Sequence, residues 1–297
     1  MTTLAQRLSY FSDRRFKYLL VWPAILILLL VGLFPLVYSL VVSFQNINLI
    51  DQDTSFQGWL NYKQLFQDSR LWWSLAHTLI FLAIALPLEL IFGMLIALLC
   101  LERLPGKQIF IALLVLPTVI SPLVAGATWR LMFDNRFGPI NQILGWLFGE
   151  PLPIVWVVNP HFVYPAILIA EIWQWTPFMF LLLLAALANV DKSQMEAAEI
   201  DGASYWRIFF KIMLPAIKPV LWIAVLIRAL DLFRLFDVVW ALTSRRSGHA
   251  HRDRPIYAYV QGFQQFETSY TAAMAFLIII LLSIGLMLAL KRMEIAR

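Results

Sequence analysis

Long apolar runs are the feature that most constrains the fold of this chain. Six can be placed, at Tyr18–Phe44, Ser74–Leu101, Ile109–Trp129, Phe162–Ala188, Ile217–Thr243 and Thr271–Leu290. A helix needs about 20 mainly apolar residues to cross a bilayer, whereas barrel strands would appear as alternating segments of about ten residues. Because 61% of the residues are hydrophobic and only 14% are charged, one water-soluble core could not bury the apolar surface. The sequence therefore predicts an all-α polytopic membrane protein with six transmembrane helices.

Lysine and arginine residues beside the runs predict the orientation of the chain, because they are enriched in cytoplasmic loops. With the N-terminus inside, the cytoplasmic segments hold 13 of the 23 basic residues: Arg7, Arg14, Arg15, Lys17, Arg103, Lys107, Lys192, Arg207, Lys211, Lys218, Lys291, Arg292 and Arg297. The outer segments hold 8: Lys63, Arg70, Arg130, Arg136, Arg245, Arg246, Arg252 and Arg254. We therefore expect cytoplasmic termini at 1–17 and 291–297 and a transmembrane domain over 18–290. The net charge of +5 then follows from this orientation, and no nucleic-acid partner is needed to explain it.

One polar segment, residues 189–216, interrupts the apolar pattern between the fourth and fifth runs. It faces the cytoplasm in the predicted orientation. Asp191 or Ser193 can cap a helix that Gly202 would end. Ser204 can cap a second helix that stops before the proline at the end of the segment. The pattern predicts two short helices at an angle beneath the membrane, although an amphipathic helix lying on lipid headgroups would fit the periodicity equally well.

The spacing of residues in this segment matches a known signature. The matching positions are Glu196, Ala197, Ala198, Gly202, Ile212, Leu214 and Pro215, which is the spacing of the EAA motif of ABC-importer permeases. Three further stretches, Leu116–Leu144, Ile172–Leu187 and Phe236–Thr243, are similar to the carbohydrate branch, the maltose-type permeases. From about residue 18 to residue 290 the chain therefore resembles the first, "F"-like permease of that branch, a binding-protein-dependent transport inner-membrane component.

This resemblance implies a transmembrane permease subunit of an ATP-driven importer in the inner (plasma) membrane. The implied solute is a sugar or oligosaccharide delivered by an extracytoplasmic binding protein, with a polyol or glycerol phosphate as alternatives. A secondary transporter is a further alternative, but it has no use for an EAA loop, and the matched pair of broken spans that often marks such transporters is not found in the sequence.

The same resemblance implies the partners. They are a second homologous permease, two ATP-binding subunits whose cleft receives the EAA loop, the binding protein and membrane lipid. ATP and Mg would bind to the partner subunits, because this chain has no Walker A motif: Gly106 and Lys107 are followed by Gln108. No motif for hydrolysis accompanies the charged residues either, so the sequence predicts no enzymatic activity, no catalytic residues and no metal site.

Charged residues inside the predicted spans need a partner or a role, because they are costly in lipid. Arg228, Asp231, Arg234 and Asp237 recur every three residues in the fifth run. Opposite charges at this spacing can pair along one helix face. They could instead contact the second permease, or form a wall of the sugar pathway, since carboxylates accept and guanidinium groups donate hydrogen bonds to hydroxyls.

Three residues of the fourth run are further candidates for the sugar pathway. Trp173 offers an aromatic face to the C–H faces of a sugar, while Gln174 and Thr176 suit its hydroxyl groups. A place in the aromatic belt at the membrane surface is the alternative for the tryptophan. Glu89 and Glu171 also lie in predicted spans, where we expect them to pair with span charges or to line water.

The stretch Arg245–Arg254 does not fit the pattern. It puts four arginines outside, against the positive-inside trend, where the resemblance implies a Gly-Gly-Pro turn and a threonine-rich segment. His249 and His251 could suggest a metal site, but this spacing in a basic loop commonly binds nothing. A compensated frameshift explains the stretch better, because one choice of codons, shifted by one base, encodes Gly-Gly-Pro-Gly-Thr-Pro-Thr-Glu-Thr-Ala.

Overall fold

The protein is helical over the residues that the computed structural model describes, which are 18, 20–47, 55–102, 105–150, 152–235, 237–243 and 257–295. Within these ranges the extended backbone pairs only in an isolated bridge between Gln45 and Phe56. The predicted cytoplasmic segment 1–17 and the stretch Arg245–Arg254, with its two histidines, lie outside the described residues.

Twelve helices are present in the described ranges. They are α1 (Leu20–Val42), α2 (Leu60–Gln67), α3 (Ser69–Leu101), α4 (Lys107–Val119), α5 (Pro122–Met132), α6 (Pro139–Phe148), α7 (Pro160–Ala188), α8 (Lys192–Ile200), α9 (Tyr205–Phe233), α10 (Asp237–Thr243), α11 (Tyr257–Tyr259, continued by a π-helical segment over Val260–Gln264) and α12 (Thr268–Ile295). Five of them, α1, α3, α7, α9 and α12, are long and apolar enough to cross a membrane, and α4 with α5 would make a sixth span if counted together.

The third predicted span, Ile109–Trp129, is not one straight helix. α4 and α5 meet at an angle of 97°. Ile120 and Ser121 between them have extended backbones, with ψ of 134° and 137°. Pro122 explains the break, because its ring disfavours helical geometry at the preceding residue and suits the first position of a new helix.

The fifth predicted span differs at both ends. The second short helix expected before Pro215 is in fact the first part of α9, which runs through this proline. A π-helical turn over Phe209–Met213 precedes the proline, and such a wider turn gives room to a ring that would clash in a regular helix. At the other end α9 stops at Phe233 and α10 follows as a separate helix, so the predicted run Ile217–Thr243 is broken.

The chain divides into two compact units. The first comprises residues 1–68 and 258–281. In it, the side-chain amide of Asn61 donates to the carbonyl oxygens of Ser43 and Gln45, at 2.9 Å each. These bonds hold α2 against the end of α1, because they satisfy backbone oxygens that the helix end leaves without a partner.

The second unit comprises residues 69–257 and 282–297 and contains most of the helices. Two glycines lie at close contacts between its helices. A Cβ atom on Gly93 of α3 would lie 2.8 Å from the Met179 Cβ of α7. A Cβ atom on Gly126 of α5 would lie 2.7 Å from the Ala241 Cβ of α10. Neither position has room for a side chain, so the two glycines set the spacing of these helix pairs.

Candidate functional site

The polar segment between α7 and α9 contains the first group of predicted site residues. α8 begins after Asp191, whose side chain accepts a hydrogen bond from the Ser193 backbone N–H at 2.9 Å. It ends at Ile200, and Gly202 in the turn that follows has a φ of 75°. The sequence predicts both of these features, and each has a local physical cause: a carboxylate satisfies a free N–H at the helix start, and glycine adopts positive φ at low cost.

Two hydrogen bonds close the turn at Gly202. The Gly202 N–H donates to the Glu199 carbonyl at 3.0 Å, and the Ala203 N–H donates to the Ala198 carbonyl at 2.9 Å. This pair of bonds is the Schellman motif, which requires the left-handed conformation at the glycine. The direction of the chain after α8 therefore depends on one backbone angle.

The segment has one face that packs on its own chain and one that does not. The packed residues lie against a buried cluster formed by α3, α7 and α9, and three of the predicted coupling residues are among them: Ala198, Ile212 and Leu214. The other four predicted coupling residues are exposed: Glu196, Ala197, Gly202 and Pro215. Ile200, which the motif does not include, is 86% exposed. The segment thus presents a free surface with acidic residues, small residues and several large apolar side chains, of which Ile200 is the most exposed.

A buried cluster of charges joins three spans. The Arg228 Nε of α9 donates to Glu89 Oε2 of α3, and Arg228 Nη2 donates to Glu89 Oε1, at 2.8 Å each. The same Nη2 also donates to Glu171 Oε1 of α7 at 2.9 Å. All three residues are 0–1% exposed. The guanidinium also lies 4.5 Å from the centre of the Trp175 ring, which is a favourable position for a cation.

This cluster confirms the expectation that Glu89 and Glu171 pair with span charges. Each charged side chain placed alone at the centre of a span costs about 2.5–3.5 kcal/mol on insertion scales. The bidentate fork between Arg228 and Glu89 offsets this cost with two charge-assisted hydrogen bonds. The cluster therefore specifies how α3, α7 and α9 are arranged, because any other arrangement would leave a charge in the bundle without its partner.

Three of the alternating charges of the fifth run have described side chains, and these three lie close enough to interact. Asp231 Oδ1 lies 3.0 Å from Nη2 of Arg234, and Asp231 Oδ2 lies 3.8 Å from Nη1 of Arg228. The Arg234 side chain is 79% exposed and that of Asp231 is 31% exposed. Asp237 begins α10 beyond the break, and its side chain lies outside the described part of the chain. The pairing predicted along one helix face is therefore present for the three residues whose side chains the structure describes.

The three candidates of the fourth run do not share one surface. Trp173 is 37% exposed and packs edge-on against Trp129 of α5, with ring centres 5.6 Å apart. Gln174 and Thr176 are buried. The Gln174 Nε2 group donates to the Ile120 carbonyl at 2.9 Å, so this side chain satisfies a backbone oxygen at the break between α4 and α5. Sequence reasoning missed this role, which only the fold reveals.

A cavity of about 580 Å³ lies beside α6 and was not singled out by sequence reasoning. Arg136, Gln142, Trp146 and Glu150 are among the residues that line it. Asn141 also lines the cavity, but its side-chain amide is hydrogen-bonded to neighbouring protein groups. The amide nitrogen donates to the Ile154 carbonyl, and the amide oxygen accepts from the Trp156 indole N–H.

Comparison with known proteins gives one consistent result. The family described as "Binding-protein-dependent transport system inner membrane component" matches residues 66–294. The trehalose/maltose transport system permease protein MalF of Thermococcus litoralis is 32% identical over 256 residues, which is 86% of each chain. The trehalose transport system permease protein SugA of Mycobacterium tuberculosis is 34% identical over 276 residues, covering 91% of this chain and 86% of that protein.

A solved structure shares the fold. It is a crystal structure of a bacterial ABC transporter involved in the import of the acidic polysaccharide alginate, and one of its chains aligns with a TM-score of 0.78 at 19% identity. The alignment covers 96% of this chain and 98% of that one. A second structure of the alginate transporter, in complex with an alginate pentasaccharide-bound periplasmic protein, aligns with the same TM-score at 20% identity.

Proposed function

Because this chain belongs to the family of binding-protein-dependent transport system inner membrane components, we propose that it is the permease subunit of an ABC importer for a sugar or oligosaccharide. The names of its trehalose and maltose relatives support the class of solute. Members of the family are permease components and not enzymes, and the same holds for this chain. An extracytoplasmic binding protein delivers the solute, a role that is supported by the structural relative in complex with an alginate pentasaccharide-bound periplasmic protein.

The free surface of the polar segment is the observation that carries the mechanism. A helix that ends in a Schellman turn and exposes Glu196, Ala197 and Ile200 to water is suited to enter a cleft on a soluble protein. Small residues allow close approach, and the carboxylate can pair with a basic group of the partner. We assign this surface, together with Gly202 and Pro215, to contact with an ATP-binding subunit on the cytoplasmic side.

The packed face of the same segment explains how movement would pass into the membrane. Ala198, Ile212 and Leu214 lie against a cluster that includes buried residues of α3, α7 and α9. Because packed interiors are dense and stiff, a displacement of α8 is passed on to the spans beneath it. ATP and Mg bind to the two partner subunits, and both termini of this chain face the same side as they do.

A second, homologous permease completes the pathway. Most of α1 is exposed, with only 6% of its apolar window buried, and this surface is covered by lipid or by the second permease. Of the six pathway candidates, Trp173, Asp231 and Arg234 are at least partly exposed and suit contact with a sugar. Gln174 and Thr176 support them from the interior, and Asp237 stands at the start of α10.

Two measurements test this function. Purification of the tagged chain in mild detergent should recover a second permease and an ATPase, and recovery of the chain alone would contradict the proposal. With the complex reconstituted in lipid together with its binding protein, maltose or trehalose should stimulate ATP hydrolysis more than a polyol or glycerol phosphate does. Stimulation only by a polyol or by glycerol phosphate would support the assignment as an importer but would contradict a sugar as its solute.

A further inference from the structure

Among the described residues, one carboxyl oxygen and one amide oxygen of α7 have no hydrogen-bond donor: Glu171 Oε2 and Gln174 Oε1, on residues that are each 1% exposed. The Thr176 hydroxyl of the same helix also has no partner, but it is two residues from Gln174, and residues two apart on a helix do not face each other. Residues three apart on a helix lie next to each other on one face. Two acceptors cannot bond to each other, and an unsatisfied buried acceptor is strongly disfavoured. One hydrogen atom shared by the two oxygens would satisfy both.

The orientation of the Gln174 amide is fixed from its other end. Its nitrogen lies 2.9 Å from the Ile120 carbonyl oxygen, which can only accept a hydrogen bond. The amide nitrogen must therefore face α4, and the amide oxygen must face away from it. A rotated amide would not solve the problem, because it would place two oxygens together at Ile120.

The bonds of Arg228 show which carboxyl group is fully paired. Glu89 receives two of them, one on each oxygen, whereas Glu171 receives a single bond, on Oε1. The charged groups that face Glu171 are Glu89 from α3, and Arg228 and Asp231 from α9. One guanidinium already balances Glu89, and Asp231 pairs with the exposed Arg234. A negative charge on Glu171 would therefore have no counter-charge of its own inside the bundle.

We propose that Glu171 holds a proton on Oε2 and donates it in a hydrogen bond to Gln174 Oε1. A carboxylic acid kept neutral by its surroundings is a good hydrogen-bond donor. The proton satisfies both acceptors at once and removes the excess negative charge. It also links Arg228 through Glu171 and Gln174 to the Ile120 carbonyl, so that Glu171 is a positioning residue for the break between α4 and α5. This inference does not depend on which solute is carried.

A glutamine at position 171 is the sharpest probe, because its amide keeps an oxygen for Arg228 and an N–H group for Gln174. The complex carrying Glu171→Gln, reconstituted in lipid, should keep the thermal unfolding midpoint and the solute-stimulated ATPase rate of the unaltered complex. Glu171→Leu should lower both, because it removes the donor as well as the acceptor. Glu89→Gln is the matched control: it breaks the bidentate pair and should lower the midpoint. If Glu171→Gln lowers the midpoint as much as Glu89→Gln does, residue 171 is an anion and the proposal is wrong.

Infrared spectroscopy reads the proton directly. A protonated carboxyl group has a carbonyl band separate from that of carboxylates, and the unaltered protein should show such a band, lost in Glu171→Gln and kept in Asp231→Asn. Gln174→Leu should shift the band to higher frequency, because the acid loses its acceptor. Absence of the band would show an ionised Glu171 satisfied by a bound water, and an unshifted band in Gln174→Leu would show that the proton points elsewhere. Either result overturns the assignment.

Discussion

Replacement of Gly202 by valine should uncouple ATP hydrolysis from transport while the protein still inserts into the membrane. The reason lies in the backbone: φ is 75° here, and no heavy atom lies within 4 Å of the place a Cβ would occupy. The cost is therefore purely conformational. A left-handed conformation costs an ordinary L-residue about 1–2 kcal/mol, and a β-branched residue is a clear outlier there. Since each 1.4 kcal/mol is about a factor of ten in an equilibrium constant, the native turn would be about 5- to 30-fold less favoured.

A series of substitutions at Gly202 separates the effect of backbone conformation from the effect of side-chain size. Asparagine tolerates the left-handed region and occurs at helix ends of this kind, so Gly202→Asn should keep most of the activity, Gly202→Ala less and Gly202→Val least. Gly106→Val is a matched control, because Gly106 has a φ of 72° and an equally open surrounding in another loop. It should carry the same backbone penalty without loss of coupling.

The assay is solute-stimulated ATP hydrolysis and uptake by the reconstituted complex, with membrane insertion measured in parallel. Equal activities for Gly202→Asn and Gly202→Val would show that the positive φ is not what matters. Normal uptake by the Gly202→Val complex would refute the role assigned to the turn. An equal loss of uptake in the Gly106→Val complex would show that the effect is not specific to the turn at Gly202.

Three further predictions concern the proposed partner contact, the helix packing and the stretch 245–254. Glu196→Lys should reduce recovery of the ATPase in a pull-down by more than Glu199→Lys does, since loss of one member of a buried charged contact costs about 2–5 kcal/mol; equal recovery would place the contact elsewhere. Gly93→Ala should lower the stability of the chain by about 1–3 kcal/mol through overpacking against α7, whereas Gly285→Ala, where nothing lies within 4 Å, should not lower it in thermal unfolding. Replacement of 245–254 by Gly-Gly-Pro-Gly-Thr-Pro-Thr-Glu-Thr-Ala should leave membrane insertion and solute uptake unchanged or improved. The frameshift would be refuted if sequencing of the source DNA gives the present residues and if relatives with working transporters share them.

The spans and the polar segment could be predicted from sequence because their causes are local. Apolar length defines a span, and an aspartate followed by a glycine eleven residues later, Asp191 and Gly202, defines the start and end of α8. The break in the third span also has a local signal, Ser121 followed by Pro122, but a long apolar run outweighed it. A proline inside an apolar run thus disfavours helical geometry at the residue before it, as Pro122 does at Ser121.

The buried cluster could be predicted only in outline, because its partners are far apart along the chain. Arg228 is separated from Glu89 by 139 residues and from Glu171 by 57. The sequence shows that these charges need partners, but the choice among them is made by the packing of α3, α7 and α9. Gln174 is a similar case, since its target is a backbone oxygen, which carries no signal in a sequence.

The cluster of Arg228 with two glutamates also has a consequence for how the protein is made. A chain is synthesised from its N-terminus, so Glu89 and Glu171 leave the ribosome before Arg228 does. Until α9 arrives, the carboxyl group of Glu89 lacks the cation that pairs with it. Because a charge without its partner is costly in lipid, Glu89 would have to stay protonated, as Glu171 does, or α3 would have to remain beside the insertion machinery until the guanidinium follows. A nascent chain stopped before α9 should therefore be a preferred target of membrane quality-control proteases, and one extended past Arg228 should escape them.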